Sequence, residues 1–134
     1  MAFPTYTSWL TGDVLTASGV NAIATNVNLL AYLPTNQQTG TSYTLALTDV
    51  AYIVEMNNAS SNTLTVPPNS SVAFPTGTQI IVLQTGAGQT TIAAGSGVTI
   101  NSSGSKLKLT GQWSAATLIK RATNTWVLVG DITA

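Results

Sequence analysis

The sequence predicts a mainly β protein: an N-terminal extended arm and one helix, then an antiparallel β-sandwich or barrel-like domain of about eight short strands. Three observations predict it. Short runs rich in Val, Ile and Thr recur at close spacing between clusters of Gly, Pro, Asn and Ser, which is how successive strands and their turns are written. Charged residues make up only 6% of the 134 residues, against ~25% in ordinary soluble domains. The only stripe with helical spacing lies before Pro34.

Residues 1–34 form the arm and helix. In the arm, Phe3, Tyr6 and Trp9 stand three apart and Pro4 opposes a helix. Three large aromatics are costly to leave in water, so they fold back on the domain or dock on a partner. With Asp13 they are the candidate attachment residues. Thr16 offers a hydroxyl N-cap to a helix over residues 17–33, and Pro34 ends it. Val20, Ile23, Val27 and Leu30 form one apolar stripe, the candidate oligomerisation seam. The opposite face is Asn and Thr without ion pairs, so such a helix needs packing to persist.

Residues 35–41 read as a linker and residues 42–134 as the β domain. Residues 78–101 are its centre. Ile80 to Leu83 is a continuous apolar run, the pattern of a strand covered on both faces. Gly86 and Gly88 read as the positive-φ residues of a tight turn into Thr90-Thr91-Ile92, and Gly95 and Gly97 precede Val98-Thr99-Ile100. Later strands are expected at residues 106–109, 112–121 and 125–129, the last two joined as a hairpin by Ala122-Thr123-Asn124. No internal repeat of fixed period stands out.

Composition excludes most chemistry. The chain has no His and no Cys, which removes the usual zinc sets and the Ser-His and Cys-His nucleophiles. Its four acids, Asp13, Asp49, Glu55 and Asp131, are scattered. Asp49 and Glu55 are the one pair near enough in sequence to face each other as two carboxylates. No cofactor or metal is expected, and no enzyme activity. The four bases, Lys106, Lys108, Lys120 and Arg121, cannot form the stripe that neutralises a nucleic acid backbone. No window has a transmembrane profile, and MAFPTYTSWL lacks the basic start of a secretion signal. Trp113 follows Gly111-Gln112 and is the better surface candidate for stacking on a host glycan, with core or subunit-interface packing as the alternative reading. Trp126, in the alternating WVLV, belongs in the core.

Two segments resemble a known class. Trp9, Gly12-Asp13, Thr16-Ala17 and Asn21-Ala22 are similar to the N-terminal segment of tailed-bacteriophage fibre and appendage proteins. Residues 56–131, including NTLTVPPNSSVAFPTGTQIIVLQTGAGQTTIAAGSGVTINS and ATLIKRATNTWVLVGD, resemble a β module recurrent in phage virion structural proteins. The resemblance implies a homotrimeric virion component of the short fibre, head fibre or capsid decoration type, attached through its N-terminal portion. Its partners would be copies of itself and the major capsid, neck or tail subunits, with assembly in the host cytoplasm.

Overall fold

The computed structural model describes residues 32–134. The expected arm residues Phe3, Tyr6, Trp9 and Asp13, and the stripe Val20, Ile23, Val27 and Leu30, lie outside the described residues. The chain divides into the units Met1–Leu33 and Pro34–Ala134, and the second is the β unit. Its strands are β1 (Thr35–Gln38), β2 (Ser42–Thr44), β3 (Ile53–Met56), β4 (Asn62–Val66), β5 (Gln79–Gln84), β6 (Thr90–Ala94), β7 (Thr99–Ser102), β8 (Lys108–Leu109), β9 (Ala115–Ala122), β10 (Thr125–Gly130) and β11 (Ile132–Thr133). They form two sheets: sheet A in the order β1-β3-β5-β9-β10-β7, and sheet B in the order β11-β8-β6-β4-β2.

The mainly β class holds, but the antiparallel expectation is corrected: both sheets are mixed. β1, β3 and β5 run parallel in sheet A, and β2, β4 and β6 run parallel in sheet B. The chain winds through three stacked coils. Each coil crosses from sheet A to sheet B by a short turn, and the first two return by longer loops. This solves the crossover problem of parallel pairing without a helix, because the connection itself contains the opposite sheet's strand. Thr35–Gln38 is therefore an edge strand paired with Ile53–Met56 and not a linker.

A structural repeat of 28 residues is also present. Ile53 pairs with Ile81 and Asn62 with Thr90, each 28 residues on. The preceding coil is shorter, with Thr35 pairing Ile53 and Ser42 pairing Thr63. Unequal return loops leave the sequence without a fixed period.

The turns stack as tightly as the strands. Gly88 N–H donates to Asn58 O at 2.9 Å and Asn62 N–H to Gln89 O at 3.0 Å. A Cβ at Gly86 would fall on the Asn58 backbone, and one at Gly88 on the Ser60 backbone. Neither glycine has positive φ. They are required by close approach of the turn below and not by turn conformation, and β5 and β6 are not a hairpin.

Alternation sends one face of each strand into a core between the sheets. Val54, Met56, Ile80, Val82, Leu118, Trp126 and Leu128 come from sheet A, and Leu64, Val66, Ile92 and Leu109 from sheet B. Burying each large aliphatic side chain stabilises the fold by roughly 1.5–3 kcal/mol. Trp126 is 1% exposed and meets Phe74 edge-on, with ring centroids 5.4 Å apart. The β9–β10 hairpin, as expected, turns at Asn124, whose φ is 53°. It inserts between β5 and β7 and ends the coil stacking.

Candidate interaction face

The two sheets present opposite chemistry to the outside. In sheet B the register aligns Ser42, Thr63, Thr91 and Lys108, with Thr44, Thr65 and Ala93 beside them. That is a hydroxyl surface. In sheet A, Ile53, Ile81, Thr117 and Val129 form one outward row. Glu55, Leu83 and Ala115 form the row on one side, and Gln79, Ile119 and Val127 the row on the other. The face has an aliphatic centre and a polar rim of Thr35, Gln37, Thr99 and Asn101. An apolar centre inside a polar rim is the anatomy of a protein interface. Where β7 ends opposite Leu128, Val129 is left 46% exposed beside a notch of about 420 Å³.

Trp113 stands at the end of this face where Leu83 meets Ala115. It is 70% exposed and has φ 71°. Positive φ is a true outlier for so bulky a residue. Hydrogen bonds hold it there. Trp113 N–H donates to Gln84 O at 2.7 Å, Gln112 Nε2 to Thr85 O at 3.0 Å and Gly111 N–H to Ser114 Oγ at 3.0 Å. The side chain is thus exposed by a rigid turn, which agrees with its reading as a surface residue.

No protein-family model matches the chain, and no curated protein is significantly similar to it.

The ionisable groups are dispersed. Asp49 is 1% exposed. Its carboxylate accepts from Asn36 Nδ2 at 2.7 Å, Tyr43 OH at 2.8 Å and Ala46 N–H at 2.8 Å. Burial, with the Asp49 hydrogen bond and charge, raises the Tyr43 hydroxyl above its ordinary pKa. Glu55 lies on the outer face of β3, beside Gln37 Nε2 at 3.5 Å. The two carboxylates considered as a pair share no cleft: one is enclosed, the other faces out.

Lys120 is 3% exposed on β9, an interior strand of sheet A. Its Nζ donates to Asn69 Oδ1 and Phe74 O, both at 2.6 Å. It fastens the return loop of residues 67–78 to β9. Neighbouring Arg121 points out and is exposed, as alternation requires. A second polar cluster closes the coil corner. Thr90 Oγ1 donates to Asn62 Oδ1 at 2.6 Å, and Gln84 Oε1 accepts from Thr90 N–H at 3.0 Å. Among the described residues no group of His, Cys, Asp or Glu could hold a metal ion. No described helix is long and apolar enough to cross a membrane.

Sequence reasoning found Trp113 but missed the aliphatic face. The signal was there: Ile81, Leu83, Ile119, Val127 and Val129 occupy the alternate positions that sheet B fills with threonine.

Proposed function

We propose that this chain is a non-enzymatic structural subunit of a tailed-phage virion, a short fibre or capsid decoration protein. It attaches through its N-terminal segment and displays the β unit. The observation that carries the reading is the aliphatic outer face of sheet A in a chain of zero net charge. A face of this kind serves burial against protein, and a neutral chain has little colloidal protection when alone. The Trp9-to-Ala22 resemblance supplies the phage context. The partners are copies of the chain, as a homotrimer, together with capsid, neck or tail proteins. Neither nucleic acid nor membrane is a partner.

Deleting residues 1–15 tests the attachment. The truncated protein should be absent from purified particles, detected by mass spectrometry of virions, while the full chain is present. Incorporation of the truncated protein at the normal level would end the reading.

The exposure and rigid turn of Trp113 favour a second reading, a carbohydrate-binding module for host recognition. A glycan array probed with the protein and with Trp113→Ala decides it. Binding that the variant loses supports it, and no binding by either protein removes it.

A further inference from the structure

We infer that the notch at the end of β7 takes the C-terminal end of an extended peptide, which adds as a short strand to β10 and sets its terminal carboxylate against Lys106. The site does not depend on the reading of the chain as a particle subunit.

The backbone is the first argument. β7 is an edge strand of sheet A and stops at Ser102, level with Leu128, while β10 runs on to Gly130. Two bonds fix which way the β10 backbone faces. Thr99 N–H donates to Asn124 O at 2.8 Å, and on the other side Asp131 N–H donates to Ala115 O at 2.9 Å. From Asn124 onward, even-numbered residues therefore turn their N–H and C=O towards β7, and odd-numbered residues turn theirs towards β9. Beyond Ser102, Leu128 O and Gly130 N–H face the notch, and no strand of the described residues lies beside them. An acceptor followed by a donor along an open edge is what an added strand pairs with.

The closed end of the notch is the second. After Ser102 the chain leaves the sheet through the turn Ser103–Ser105, with Gly104 at a φ of 67°. The Lys106 stem folds over that turn: a Cβ on Gly104 would come 3.6 Å from Lys106 Cε. Among the described residues lining the notch, Lys106 alone is charged, and the polar side chains are Asn101, Ser102 and Ser103. Ser102 Oγ is buried without a hydrogen-bond partner. A buried hydroxyl left unpaired costs stability, and a ligand acceptor removes that cost.

The ligand follows from these two. A strand in line with β7 cannot run on through Ser102 and Ser103, so a chain end stops there. An N-terminal ammonium would meet the Lys106 ammonium, whereas a carboxylate accepts from it and from the Ser102 hydroxyl. The volume of about 420 Å³ holds a short segment only, and Val129 and Ile132 line it for apolar side chains. A uronic acid would offer the carboxylate but not the alternating backbone groups that Leu128 and Gly130 call for.

Amide spectra of the isotope-labelled full chain, titrated with acetyl-Thr-Val-Thr-Val bearing a free carboxylate, test the proposal. Shifts are expected at Ser102–Lys106 and Leu128–Ile132, and not in β2 or β4. The C-terminal amide of the same peptide should bind roughly tenfold more weakly. Lys106→Gln, at an exposed position, should remove that preference. Ser102→Ala should weaken binding of the acid while raising the urea midpoint of the free chain, a pairing that a purely structural serine would not give. Absence of shifts at these residues with the acid peptide at millimolar concentration overturns the site. Equal binding of acid and amide overturns the carboxylate contact. Glucuronate that shifts the same residues at lower concentration than the peptide overturns the peptide as the ligand.

Discussion

At the scale of single residues, three side chains carry predictions. The Tyr43 hydroxyl is bonded to buried Asp49, and its pKa is raised, first by burial and then by that carboxylate. A raised folded-state pKa means that the contribution to stability is complete below the ordinary value near 10 and is lost as pH rises through the folded value. Tyr43→Phe should cost about 1–3 kcal/mol at neutral pH, because Asp49 loses a donor. In urea titrations, the gap between wild type and variant should shrink at alkaline pH. Gly88→Ala should cost about 2–3 kcal/mol, since the added methyl meets backbone and not a movable side chain. A loss below half a kcal/mol would mean the turns stack more loosely than described. Trp113→Gly should stabilise the isolated chain by up to about 1 kcal/mol, because glycine accepts a φ of 71° without strain. If it also weakens association, that strain is retained for a contact outside the fold.

At the scale of elements, the return loop of residues 67–78 is held by one side chain from a strand distant in sequence. Lys120 Nζ reaches Asn69 Oδ1 and Phe74 O, and Asn124 Oδ1 accepts from Asn69 N–H at 2.7 Å. Lys120→Met keeps the apolar stem and removes the donor. Two carbonyl oxygens are then left short of partners, at a cost of about 1–3 kcal/mol. Faster amide exchange should be confined to the loop and its neighbour β9. An unchanged exchange pattern would show that Phe74 against Trp126, and not the lysine, fixes the loop. The strands themselves were largely readable. Residues 62–66 alternate threonine with apolar residues, and they form β4 with its threonines out and its Leu64 and Val66 in. Ile80 to Leu83 was expected to be covered on both sides. One side, Ile80 and Val82, is core, and the other, Ile81 and Leu83, faces out. The continuous run thus signals either a second layer of the same chain or a partner, and local pattern has no means of choosing.

At the scale of the whole molecule, the β unit is three coils closed by a hairpin, with hydroxyl chemistry on one outer side and aliphatic chemistry on the other. The proposed attachment lies in the N-terminal segment, outside this unit. Removing residues 1–15 should abolish incorporation into particles and leave the solution mass of the oligomer proportionate to its shortened chain, measured by light scattering. If truncation also dissociates the oligomer, the N-terminal segment takes part in joining the copies.

Strand positions, the β9–β10 hairpin and the burial of Trp126 follow from local alternation, turn residues and side-chain chemistry, which are written in adjacent residues. Pairing is different. Whether β5 turns back on β6 as a hairpin or crosses to the opposite sheet depends on contacts 28 residues away, Ile53 with Ile81 and Asn62 with Thr90. The same two glycines serve either outcome. Gly86 and Gly88 suit a tight turn when seen alone, and only the Asn58 and Ser60 backbones beneath them give the actual reason, a distance too short for a side chain. Sheet direction, the buried Lys120 and the aliphatic face were decided by the stacking of coils, because each is a relation between segments that no single segment contains.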